Sequence, residues 1–164
     1  MMHPLLDPDR QIRLSRTFDA PRSLVWRMLT EPEHLKRWWA PGTFTTPFIS
    51  VDLKVGGLFR YCMRSPEGMD FWGRGRYTEI QPESRLAYED CFTDADGIPV
   101  PPSHYGMHLT TIEDSLVEID MHEVEGKTRM EIVYTSYVEF GEERAMAEQG
   151  WSEMLERLAQ VLEA

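Results

Sequence analysis

Residues 142–163 constrain the fold of this chain more than any other stretch. Met146, Ala147, Trp151, Met154, Leu155, Leu158, Val161 and Leu162 recur with helical spacing and form one broad apolar stripe. An amphipathic helix of that length has to cover an apolar surface of comparable extent. Gly150 sits inside it at a cost of about 1 kcal/mol relative to Ala, which implies a packing reason.

The surface to be covered is a sheet. Gln11–Phe18 sets Ile12, Leu14 and Arg16 against Arg13, Ser15 and Thr17, a period-2 pattern. Pro21 suits a first helical turn, and Leu24, Val25, Met28 and Leu29 follow at helical spacing. Thr30 and Glu33 read as a capping box opening a second short helix over 31–38. After Pro41-Gly42 the pattern turns to strands, over 44–53, 58–64, 70–80, 85–92, 116–124 and 127–136. They are separated by turn residues at Gly56-Gly57, Ser65–Gly68, Pro82 and Gly126. Connections so short require antiparallel pairing. Alternation sends Phe59, Tyr61 and Met63 inward and Arg60, Cys62 and Arg64 to a wet face. Val117, Ile119, Met121, Met130, Ile132 and Tyr134 also face inward. One of Phe71 and Trp72 must do so too, but a bulge at Gly73 or Gly75 would exchange them. The expected class is α+β, with residues 1–10 as an N-terminal extension and 11–164 as a single domain.

Composition narrows the partners. With 41% hydrophobic and 27% charged residues the chain is globular in type, and its net charge of −11 repels phosphate backbones and anionic lipid surfaces. Neither nucleic acid nor a membrane is expected as a partner. Pro4, Asp7, Pro8 and Asp9 stand where a signal peptide needs an apolar core, so a cytoplasmic location is expected. Cys62 and Cys91 lack any CxxC pattern and read as free strand thiols.

The candidate binding surface is the inward set Phe59, Tyr61, Met63, Tyr88, Met121, Tyr134, Trp151 and Met154, with Trp38 and Ala147 beside it. These side chains either fill a solid core or line a cavity. The ten methionines favour adaptable contents, since thioethers accommodate irregular contacts. Asp90 shares the parity of Leu86, Tyr88 and Phe92, so it points inward, where burial would raise its pKa. His122 alternates with Glu118 and Asp120 and belongs to the wet face. His104 and His108 stand four apart, but Gly106 and the flanking prolines argue for a loop with no third ligand nearby; no metal is expected. His104 and Tyr105 are better placed as polar tips at a cavity mouth, within a Pro-rich connection (94–114) long enough to serve as a lid. No nucleophile–base motif is present, and Gly73-Arg74-Gly75 lies in a strand pattern rather than a phosphate loop, so no cofactor is expected.

Four segments carry a family resemblance: TFDAPRSLVWRMLTEPEHLKRWWAP (17–41), VGGLFRYCMRSPEG (55–68), FWGRGRYTEIQPESRLAYED (71–90) and QGWSEMLERL (149–158). Together they resemble the START-like SRPBCC superfamily, which has the birch-pollen-allergen type of fold, and within it the branch named for activators of a heat-shock ATPase. The resemblance implies a helix-grip fold, a curved antiparallel sheet wrapped around the C-terminal helix, with two short helices after the first strand. It implies a ligand site between sheet and helix for a small hydrophobic or amphipathic molecule. Alternatives are a polyketide cyclase or dehydratase, with Asp90, His104 and Tyr105 as acid–base groups, and a chaperone-interacting module. The chain carries no separate N-terminal domain of the kind through which chaperone activators act, which weighs against the last. A homodimer is left open.

Overall fold

The computed structural model describes residues 8–107, 109–112, 114–136, 140–141 and 143–163. Seven strands are present: β1 (Gln11–Phe18), β2 (Thr45–Val51), β3 (Leu58–Arg64), β4 (Asp70–Gln81), β5 (Arg85–Thr93), β6 (Ser115–Val124) and β7 (Lys127–Thr135). They form one antiparallel sheet in the order β1-β7-β6-β5-β4-β3-β2. The first strand pairs with the last, from Gln11 opposite Thr135 to Phe18 opposite Thr128. Helices α1 (Arg22–Thr30) and α2 (Pro32–Leu35) connect the two edge strands, and α3 (Glu143–Glu163) lies on the inner face. This is the helix-grip α+β arrangement.

Alternation sets which side chains reach the core. Ile12, Phe18, Phe59, Tyr61, Leu86, Tyr88, Val117, Ile119, Met121, Met130 and Ile132 are buried on the inner face. Met154, Leu155, Leu158 and Ala159 of α3 are buried against them. The far end of the helix is fastened by polar contacts. Arg157 Nη1 donates to the carbonyls of Ala40 (2.5 Å) and Phe44 (3.0 Å), and Arg16 pairs with Glu156 at 2.8 Å. Arg144, in the first turn of α3, donates to the carbonyls of Gln11 (2.8 Å) and Pro8 (2.9 Å).

Several local expectations are corrected. The capping box does not form. Thr30 is the last residue of α1, and its hydroxyl bonds back to the Trp26 carbonyl at 2.8 Å, as a helical threonine does. Glu31 caps α2 without a side-chain bond, and Pro32, with no N–H to satisfy, opens the helix; α2 then ends at Leu35, short of the expected Trp38. Met146 is 76% exposed, because it lies about 100° around the helix from Ala147 and misses the sheet. Cys62 faces the outer side but is buried rather than wet. Its cross-strand neighbours Phe48 and Trp72 close over it, with ring centroids 5.6 Å apart. Trp72 therefore points outward and Phe71 inward. The irregularity in β4 falls between Tyr77 and Glu79, and the register through Gly73 and Gly75 is regular. Gly150 has no close neighbour: a Cβ there would stand 3.7 Å from Pro41, in ordinary contact.

Candidate functional site

The inner face has two parts. Toward α1 and α2 it is filled by an aromatic cluster around Trp39. That ring meets Phe59 at 5.5 Å and Tyr61 at 5.4 Å, and Phe59 meets Tyr88 edge-on at 4.8 Å. The void left between Leu29, Trp39, Tyr77 and Ile119 is about 10 Å³, room for a single water molecule. Phe59, Tyr61, Tyr88, Met121 and Met154 are thus solid core here, whatever they border at their outer ends. Trp38 is core as well, with its indole N–H committed to the Met28 carbonyl at 2.9 Å.

Toward the N-terminal half of α3 the inner-face side chains are only half-buried. Met63, Phe71, Asp90, Phe92, Ser115 and Tyr134 belong to the sheet, and Ala147 and Trp151 to the helix. Trp151 bridges the two parts, 6.3 Å from Trp39 and 6.2 Å from Tyr134. The Tyr134 hydroxyl lies 3.0 Å from Ser115 Oγ.

Asp90 is the polar centre of this end. Its cross-strand neighbours are Gly75 and Ser115, and none of the described residues forms an ion pair with it. The carboxyl lies deep between sheet and helix yet retains some contact with solvent. Burial, reinforced by the nearby charge of Asp114, pushes its pKa up to about 7. Burial, with the negative charge of Asp90 second, also raises the hydroxyls of Tyr61, Tyr88 and Tyr134. Three buried polar atoms have no hydrogen-bond partner among the described residues: Tyr88 Oη and Trp39 Nε1 on the inner side, and Arg60 Nε on the outer. Such atoms are uncommon in folded proteins and call for an explanation.

The long connection frames the same end. Asp94 Oδ1 accepts from the amides of Asp96 (2.9 Å) and Ile98 (3.0 Å), and a 3-10 turn spans Pro102–Tyr105. The Tyr105 hydroxyl donates to the Thr93 carbonyl and accepts from the Trp72 amide at 3.1 Å. Its ring lies 5.2 Å from Phe71 and 5.5 Å from Phe92. Tyr105 borders the site with a hydroxyl already engaged, and His104 is exposed. His108 lies outside the described residues. Trp39, Ser115 and Phe92 were not among the sequence candidates, and Phe71 was one of an adjacent pair between which the sequence did not choose. Trp39 had a signal, since it follows Leu35 by one helical turn.

A second concavity, of about 210 Å³, lies at the opposite end of α3 between Phe18, Lys127, Ala159 and Leu162. No buried polar atom is left unpaired there among the described residues.

Residues 19–163 match the family described as Activator of Hsp90 ATPase homolog 1-like protein. The chain belongs to that family. Solved structures share its fold. A protein from Chromobacterium violaceum is 26% identical, with a TM-score of 0.78 over 94% of this chain and 98% of its own. A protein from Arthrobacter aurescens is 27% identical, with a TM-score of 0.78 over 94% of this chain and 87% of its own. The AHSA1 protein from Silicibacter pomeroyi, 21% identical over 93% of this chain and 96% of its own, has a TM-score of 0.72. No curated protein matches the chain. As a member of this family it has the helix-grip fold, and no helix among the described residues is long and apolar enough to cross a membrane.

Proposed function

We propose that the protein binds a small amphipathic molecule at the half-buried end of the space between the sheet and α3. The observation that carries this reading is Asp90, an inward carboxyl set among aromatic side chains with no ion-pair partner among the described residues. A chain selected only for stability would replace such a group, because burying it unpaired costs free energy. Trp151, Tyr134, Phe71 and Phe92 would cover the apolar part of the ligand, at about 25 cal/mol per Å² of buried apolar area less ordering costs. The deep core has no room, so the ligand sits at the open end and displaces solvent from Asp90.

The cyclase-like alternative has less support. Its three acid–base groups are not assembled: His104 is exposed and the Tyr105 hydroxyl is held by backbone groups. The chaperone-module alternative rests on the family name alone.

The test is a neutral apolar dye titrated into the native protein, with Ala147→Phe as the blocking variant. Saturable binding near 1:1, weakened by Ala147→Phe at unchanged thermal stability, is the expected result. A native protein that takes up no neutral apolar probe would overturn the reading.

A further inference from the structure

Two carboxylates hold inner-face positions in the seven strands, Glu123, which is exposed opposite Thr128 at the far end of β6, and Asp90, which is half-buried; the one cation, Arg16, is already engaged by Glu156. The strand partners of Asp90, Gly75 and Ser115, cannot neutralise it, and the charge that acts on it, that of Asp114, is another acid's. Around it stand the rings of Tyr61, Tyr88 and Tyr134, with Trp151 against Tyr134 at 6.2 Å. Electron-rich ring faces attract cations, most strongly where water is excluded. A carboxylate backed by such rings is complementary to an organic cation. It is poorly matched to an anion, which would meet Asp90 and Asp114 with like charge.

We infer that the ligand's polar group is a protonated amine on an apolar body, seated over Asp90 and flanked by Tyr134 and Trp151. This rests on the ligand-binding reading above and adds the sign of the ligand's charge. The ammonium supplies the counter-charge that Asp90 lacks among the described residues, and its N–H groups have two carboxylate oxygens to donate to. Tyr61, Tyr88 and Tyr134 stay neutral hydroxyls, because burial raises each of them. The net charge of −11 favours the approach of a cation to the site.

The experiment compares probes of one chain length, hexylamine, hexyltrimethylammonium and 1-hexanol, by calorimetry and tryptophan fluorescence at pH 8, where Asp90 is ionised. The two cations should bind about tenfold tighter than the alcohol, from the ion pair and the ring contacts together. Asp90→Asn, which keeps size and shape, should bring the three probes to similar affinity while its fluorescence remains native and it melts no lower than the native protein. Equal or tighter binding of the alcohol to the native protein overturns the amine assignment and leaves ligand binding standing. Retention of the cation preference in Asp90→Asn overturns it too. Failure of all three probes to bind overturns both.

Discussion

The ring of Phe59 lies across Gly75 on the neighbouring strand, so that a Cβ added to Gly75 would stand 2.0 Å from Phe59 Cε1. Tyr61 covers Gly73 in the same way, with its hydroxyl 2.5 Å from where that Cβ would be. The two glycines of β4 are therefore beds for aromatic rings of β3. They make room for the cluster that fills the closed part of the core and ends at Asp90.

Gly75→Ala forces this ring off its bed into a core with no slack. Overpacking of that kind costs about 1–3 kcal/mol, and chemical denaturation should find a loss of at least that size. The penalty should shrink when Phe59→Leu is present as well, since contacting residues are not additive. Additive losses would show that the steric relation is not the cause.

Gly150→Ala should have the opposite sign. Nothing crowds the position, and a helix interior favours Ala over Gly by about 0.5–1 kcal/mol. Thermal melting should rise by a few degrees; a lower melting point would reveal a contact at Gly150 tighter than the 3.7 Å approach of Pro41.

Asp90 makes stability depend on pH. Its folded-state pKa, about 7, is raised from 3.8, so the folded chain holds this proton more tightly than the unfolded chain. The associated stability is fully present below about pH 4 and is lost as pH rises through about 7. Asp90→Asn should therefore stabilise the protein at pH 8, on the order of 2–4 kcal/mol, with the gain vanishing toward pH 4. Urea titrations of both proteins across that range measure it. A pH-independent difference would mean that the carboxyl is paired.

Arg85 bonds three carboxylates on the outer face: Glu79 at 2.8 Å, Asp120 at 2.8 Å and Glu118 at 2.5 Å. Removing it leaves three like charges close together. Arg85→Ala should destabilise by about 2–3 kcal/mol in low salt, with partial recovery in 1 M salt, where screening shortens to about 3 Å. A loss under about 0.5 kcal/mol would mark the network as an ordinary solvated set.

Much of this architecture was legible in one dimension. Period-2 alternation gave β1 its full extent, the inward faces of β3, β6 and β7, and the inward direction of Asp90, because the pleat leaves no choice of side once register is fixed. Helical spacing placed Met154, Leu155 and Leu158 on the buried stripe. What the sequence could not convey was which surfaces meet. Met146 fits the stripe on paper, yet it turns away from the sheet into solvent. Cys62 has wet-face parity but lies under Phe48 and Trp72, whose contact spans β2 to β4. Gly73 and Gly75 read as a bulge signal, and only the approach of two rings from the next strand explains them. Alternation says nothing about Tyr105, which is expected at the cavity mouth only from its Pro-rich connection, or about Trp39. One is fixed by the end of the β4–β5 ladder, and the other by a cluster drawn from three separate elements. Local periodicity is set by covalent geometry and can be read along the chain, whereas burial depends on what distant segments bring to the other side.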